Sequence, residues 1–368
     1  MDIHLLLRLM AEKNASDLFF STGAPPHMKV EGVATPIGKA PMPPGAIKKI
    51  AYSIMSEQQI EEFEREWEAN FAYSAGDIGR FRVNVFYQRG EVGMVMRHIK
   101  SDIPTIEELH LPKILKQLVM ERTGLILVCG PTGSGKSTTM AAMLEHRNRS
   151  ASGHILTIED PIEFLYEHKR SIIDQREIGV DTKNYSNALK NAMREAPDVI
   201  LIGEIRDSEA MEYALNYAQT GHLCLATIHG NNAKQVLERI RNMFPKEMQG
   251  HVMTELSGVI KGIISQRLIR NKEGKRIPAL EVMLAAPEIV EIIARGTNLE
   301  ELPKAIASNK MDGMITFDQS LYDLFRIGEI TQEMALHYAE SRHDLSLKMR
   351  LSGNRTSEQP VNPFKTKL

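Results

Sequence analysis

The sequence predicts an α/β protein of two domains, a mixed α/β module followed by a domain built on a mainly parallel sheet. Three observations carry that prediction. The apolar run Leu125-Ile126-Leu127-Val128-Cys129 leads into Gly130-Pro131-Thr132-Gly133-Ser134-Gly135-Lys136-Ser137-Thr138 and then into the helix-forming Thr139–Leu144. From Lys113 onward, apolar strand-like runs alternate with helical ones, as a parallel sheet requires. Up to about Ile99 the chain reads as a mixed α/β module, in which Phe81, Val83, Val85 and Tyr87 share one face of a strand with Arg80, Arg82, Asn84 and Phe86 on the other.

In chain order, Ile3, Leu6, Leu7 and Met10 share one helical face, and Arg8 interrupts the apolar stretch. The expectation is an amphipathic helix, neither a signal peptide nor a membrane span. Pro36–Pro44 is expected to be a loop. Ser56–Trp67 reads as a helix capped by Ser56, with Glu57 and Gln59 in its first turn. Phe81, Val83, Val85 and Tyr87 line one face of a strand, the turn Gln88-Arg89-Gly90-Glu91 follows, and a second strand runs Val92–Arg97. Lys100–Pro112 is read as an interdomain connector. Strands are expected at Leu125–Cys129, Ile155–Ile158, Val199–Gly203 and Leu223–Thr227. Leu256, Val259, Ile260, Ile263, Ile264 and Leu268 fit a helical period. From Asp344 the chain is polar and reads as a mobile tail. The domains are thus residues 1–99, a connector 100–112, a second domain 113–343 and a tail 344–368.

The 368 residues suffice for two cores, and 45 basic against 47 acidic side chains leave no bulk charge to hold a polyanion. A nucleic-acid partner is therefore not expected. Cys129 and Cys224 lie in apolar runs and read as buried thiols, and no C-x-x-C pair suggests structural zinc.

The glycine-rich run between strand and helix has the spacing G-x-x-x-x-G-K-S. Its glycines let backbone N–H groups turn toward phosphates, and the helix N-terminus adds partial positive charge. Gly130, Pro131, Thr132, Gly133, Ser134, Gly135, Lys136, Ser137 and Thr138 are the candidate nucleotide-binding residues. Lys136 reaches the β- and γ-phosphates, and the Ser137 hydroxyl offers a ligand to Mg²⁺. Two strands end in acids. Val199–Gly203 terminates at Glu204, placed to hold the Mg²⁺ shell, and Ile158-Glu159-Asp160-Pro161-Ile162-Glu163 brings three carboxylates close together. Glu163 is the candidate base that orients water, and Glu159 a supporting acid on the Mg²⁺ side. The roles of Glu163 and Glu204 are exchangeable at this stage. His229 is the candidate γ-phosphate contact, and His222 a candidate link between domains.

These blocks in this order resemble the motor ATPases of the type IV pilus and type II secretion superfamily. Walker A falls at Gly130–Thr138, the Asp box at Ile158–Glu163, Walker B within Asp198–Asp207, and the His box at Thr220–Ala233. The early segments Ala15-Ser16-Asp17-Leu18 and Gly23-Ala24-Pro25-Pro26 extend the resemblance over nearly the whole chain. It implies a PAS-like first domain, a RecA-like P-loop second domain, ATP and Mg²⁺ as ligands, and a cytoplasmic homo-hexameric ring. Arg82 and Arg97 match the family's sensing arginines in the first domain. The missing four-cysteine loop favours the pilus-retraction branch over extension and secretion motors. A retraction motor implies an inner-membrane platform protein as partner and a peripheral place at that membrane. Glu288–Arg295 departs from the element that independent retraction motors carry there, and Phe19 stands where the family commonly has His. Both departures imply the branch that assists a second, PilT-like ATPase. The alternatives are an ATP-binding accessory subunit with little turnover of its own, or a secretion ATPase.

Overall fold

In the computed structural model, which describes residues 2–30 and 32–353, the chain forms two units. One contains the residues up to Asp102 together with Glu163–Leu165. The other contains Ile103–Ile162 and the chain from Tyr166 onward.

The first unit runs α1 (Ile3–Glu12), β1 (Asp17–Phe20), β2 (His27–Val30), β3 (Val33–Pro36), α2 (Ala46–Ile54), α3 (Glu57–Glu66), β4 (Glu68–Ser74), β5 (Arg80–Gln88) and β6 (Glu91–Ile99). Its six strands form one antiparallel sheet in the order β3-β2-β1-β6-β5-β4. Ile3, Leu6, Leu7 and Met10 of α1 are buried in its core with Phe81, Val83 and Val85 of β5. Helix α3 starts where expected because Ser56 and Gln59 cap each other's backbone N–H groups reciprocally. The β5–β6 hairpin closes through Arg89-Gly90, both at positive φ.

The second unit continues with α4 (Ile114–Val119), β7 (Gly124–Cys129), α5 (Lys136–Ser150), β8 (Gly153–Glu159), β9 (Ser171–Glu177), α6 (Tyr185–Ala192), β10 (Val199–Ile205), α7 (Ser208–Gln219), β11 (Leu223–Ile228), α8 (Ala233–Asn242), α9 (Lys246–Val259), β12 (Ile260–Arg270) and β13 (Arg276–Leu284). It ends with α10 (Pro287–Arg295), α11 (Leu302–Ser308), α12 (Phe317–Arg326), α13 (Gln332–Tyr338) and α14 (Arg342–Gly353). The sheet order is β13-β12-β7-β11-β10-β8-β9, parallel throughout except for β13. Strands β7 and β11 are buried along their whole length, which explains their unbroken apolar runs. Both cysteines are fully buried there, and burial pushes the Cys129 thiol up to about 12.

Three expectations need correction. The helical reading of Leu256–Leu268 fails after Val259, where the chain becomes the eleven-residue strand β12. Its β-branched residues are packed on both faces, Ile263 in one core cluster and Ile264 in the other, so strand burial overrides the helical spacing. The connector is shorter than Lys100–Pro112, because Ile106 and Leu111 are buried in the second unit's core. The tail expected from Asp344 begins as helix α14, whose Leu345 and Met349 are buried against Phe317, Leu321 and Tyr322. Residues 354–368 of that expectation lie outside the described residues.

Candidate nucleotide site

Strand β7 delivers the chain to the phosphate loop at Gly130, and α5 begins at Lys136. Gly130, Gly133 and Gly135 all take positive φ, respectively 150°, 77° and 87°. A Cβ at Gly130 would lie 2.2 Å from the Gln266 carbonyl oxygen and 2.6 Å from Ser134 Oγ, so only glycine fits. Lys136 Nζ donates to the carbonyl oxygens of Gly130 (2.8 Å) and Pro131 (3.2 Å). Burial lowers its pKa, and the negative charge of Glu204 opposes that shift. Ser134 is buried with its Oγ unpaired, whereas Pro131, Thr132 and Ser137 face outward. A cradle that a single Cβ would fill, together with an orphaned buried hydroxyl, fits a group rich in hydrogen-bond acceptors. Thr138 borders a cavity of about 260 Å³ lined also by Leu109, Leu111, Leu268, Ile277 and Pro278.

The acid and histidine motifs converge in the same unit. Glu204 lies within β10, which extends two residues further than expected, to Ile205. Its Oε1 is 2.6 Å from His229 Nε2 at the end of β11, and its Oε2 accepts from Arg206 Nε at 2.6 Å. Arg206 also reaches Asp160 Oδ2 at 3.3 Å, and the Glu204 carboxylate holds its guanidinium pKa up. Glu159 accepts from Thr157 Oγ1 at 2.7 Å and Gln175 Nε2 at 3.4 Å. The structure therefore brings together Glu204, His229, Arg206 and Asp160.

Glu163 is exposed, and its segment belongs to the first unit, where Leu165 N donates to Lys100 O at 2.9 Å. His222 sits at the opposite end of β11 from His229, its Nδ1 within 3.2 Å of Thr220 Oγ1 and Tyr217 O. Those local bonds fix the α7–β11 turn. Arg82 and Arg97 face each other across the β5–β6 pair, and Asp17 on β1 is opposite Arg97 in turn. Arg97 Nε donates to Asp17 Oδ1 at 2.8 Å, so one of the two cations is balanced by the early Ser16-Asp17 segment.

Sequence reasoning missed the contribution of β12. Gln266 Oε1 accepts from Thr139 Oγ1 at 2.6 Å, directly below the phosphate loop. Arg267 donates to Asn231 O at 3.3 Å and to Glu340 Oε1 at 3.0 Å, and stacks 4.0 Å above the Phe317 ring. Reading this segment as a helix removed the strand alternation that would have pointed to these residues. Among the described residues, no group of three or more His, Cys, Asp or Glu side chains is arranged to hold a metal, and no helix is long and apolar enough to cross a membrane.

Residues 6–314 match the family described as type II/IV secretion system protein. The chain is 49% identical to the type IV pilus ATPase PilU of Pseudomonas aeruginosa over 95% of its own length and 92% of the relative's. It is 41% identical to the type IV pilus retraction ATPase PilT of the same organism, covering 92% of this chain and 98% of that one. A crystal structure of the pilus retraction motor PilT with bound ADP superposes with a TM-score of 0.87 at 40% identity, covering 94% of this chain and 99% of the other.

Proposed function

The chain belongs to the type II/IV secretion system protein family, and from that premise we propose that it is an ATP-hydrolysing motor that drives or assists type IV pilus retraction. The Glu204–His229 pair beside the phosphate loop is the observation that carries the reading. A loop that binds phosphate needs only glycines and a lysine, whereas turnover also needs a charged group that responds to the γ-phosphate.

ATP is the substrate. Its β- and γ-phosphates take the place of the Gly130 and Pro131 carbonyls as partners of the Lys136 ammonium. The apolar wall of Leu268, Ile277 and Pro278 suits the adenine ring. The Ser137 hydroxyl and the Glu204 carboxylate would hold Mg²⁺, with Glu159 acting through water. A Mg²⁺ site of this kind uses one or two protein oxygens, the rest coming from phosphates and water. When bound, Mg²⁺ neutralises charge developing on the phosphates. Glu163 orients the attacking water, His229 contacts the γ-phosphate and signals its loss to Glu204, and Arg82 and Arg97 steady the transferred phosphoryl group. Six copies form a ring. Nucleotide binding closes the first domain on the second domain of the same or the adjacent subunit, and phosphate release opens it. The ring works against an inner-membrane platform protein, alone or beside a PilT-like ATPase.

Steady-state ATP turnover of the purified full chain tests this reading. Lys136→Ala should lower turnover at least about 100-fold, and Glu163→Gln should do the same while leaving ATP binding intact. Wild-type turnover in Lys136→Ala would remove the phosphate loop from the reaction. Wild-type turnover in Glu163→Gln would pass the role of base to Glu204.

A further inference from the structure

One buried carboxyl in the second unit has no part in the chemistry described above. Glu281 on β13 is 3% exposed. It stands opposite Ser265 on β12, and Ser265 stands opposite Cys129, the last residue of β7 before the phosphate loop. The three side chains form one row across three adjacent strands. Cys129 Sγ–H donates to Ser265 Oγ at 3.2 Å, and Ser265 donates to Glu281 Oε1 at 3.1 Å. The same oxygen accepts from the backbone N–H of Ala233 at 2.7 Å. Ala233 is the first residue of α8, four positions after His229. The row thus links the strand that carries the phosphate loop to the corner that carries the histidine bonded to Glu204.

We propose that Glu281 is a positioning residue for ATP hydrolysis: by accepting from both Ser265 and Ala233, it holds the His229–Asn232 corner in register with the phosphate-loop strand. The proposal rests on the hydrolytic reading of the Glu204–His229 pair. The rest of the corner is held by partly exposed groups: Gln235 Oε1 accepts from the Asn231 N–H at 3.1 Å, Arg267 reaches the Asn231 carbonyl at 3.3 Å, and Glu340 accepts from Asn232 Nδ2 at 3.1 Å. Glu281 binds the end of the corner from within the core, through the Ala233 N–H. Truncating it strands a buried N–H and a buried hydroxyl at the same time. His229 then loses its fixed distance to Glu204, while Lys136 and the loop glycines stay on β7 and α5. Turnover should therefore suffer and nucleotide binding should not.

Glu281 also titrates in a useful range, because burial raises its pKa to about 7. The groups facing it are the cation Arg267 on β12, the carboxylate Glu340 before α14 and the thiol Cys129 on β7, with the Ala233 N–H at the start of α8. Glutamine at this position keeps an accepting oxygen and loses the proton equilibrium.

The test measures kcat and KM for ATP with the full chain at several pH values, beside Kd for a non-hydrolysable ATP analogue. Glu281→Ala should lower kcat about tenfold or more, with KM and analogue Kd within about threefold of wild type. Glu281→Gln should recover kcat to within about threefold. Its ratio to wild-type kcat should change between pH 6 and 8, because only wild type carries the titrating group. Ser265→Ala should give a smaller kcat loss of the same kind, and it serves if Glu281→Ala does not fold. The proposal is overturned if the alanine variants keep wild-type kcat, if kcat and analogue binding fall together, or if Glu281→Gln is as impaired as Glu281→Ala with a pH-independent ratio. Failure of the hydrolytic reading shows separately, as wild-type turnover insensitive to Lys136→Ala.

Discussion

Burying a carboxyl beside Ser265 and Ala233 makes its ionisation costly, and that cost appears in stability as well as in turnover. The Glu281 pKa is raised from an ordinary 4.5 to about 7. The folded chain therefore holds this proton at pH values where the unfolded chain has lost it. The stabilisation is present in full below about pH 4.5 and is lost as the pH climbs to about 7. Glutamine does not titrate, so Glu281→Gln should gain stability relative to wild type over that window, by a few kcal/mol at most. Urea midpoints of the two proteins at pH 5 and pH 7.5 check this, and a pH-independent difference would contradict it. At this scale the phosphate loop was the most legible part of the chain. Its spacing states its chemistry without reference to anything distant, and in the structure Lys136 bonds the Gly130 carbonyl at a position where only glycine fits. Glu204 and His229 were legible as types, but their 2.6 Å contact was not, since it depends on β10 and β11 being neighbours. Arg206 carried no legible role in the sequence, although it joins Glu204 to Asp160.

Elements were readable where local chemistry agrees with tertiary burial. Helix α3 is the clear instance, and its capping box gives a measurable expectation. Ser56→Ala removes an acceptor for the Gln59 N–H and should lower the stability of the first unit by about 1 kcal/mol, with ATP turnover unchanged. Hydrogen exchange localised to α3 is the suitable readout, and unaltered protection there would show that the cap is dispensable. The hairpin β5–β6 was legible for the same reason, its Arg89-Gly90 turn matching the twist of its strands. Strand β12 was not. Leu256, Val259, Ile260, Ile263, Ile264 and Leu268 satisfy a helical period, and only burial on both faces shows why the chain is extended from Ile260. The strands β9 and β13 escaped notice because their polar and apolar residues mix, with Asp174, Gln175 and Arg176 in one and Arg276 and Glu281 in the other.

At the scale of the whole molecule, the near balance of charge leaves no bulk attraction for a polyanion, and the proposed ring is open to a direct test. Sedimentation of the full chain with a non-hydrolysable ATP analogue should reveal a species of about six times the 41.4 kDa protomer mass. A protomer that stays monomeric with saturating nucleotide and with a PilT-like ATPase present would refute the ring. The two-domain plan was legible from the change in periodicity near residue 100, but the interleaving of the units was not. After Ile162 the polypeptide leaves the second unit for three residues, and Phe164 pairs with Lys100 before the chain returns at Tyr166. A division of the gene at residue 102 therefore parts Lys100 from its Phe164 partner. A first half ending there lacks the Phe164 partner of its last paired residue, and a second half keeps a short segment with no sheet edge to rest on. An exchange of first domains between relatives keeps that pairing within one parent when residues 163–165 go with the exchanged domain, and Glu163 then travels with them.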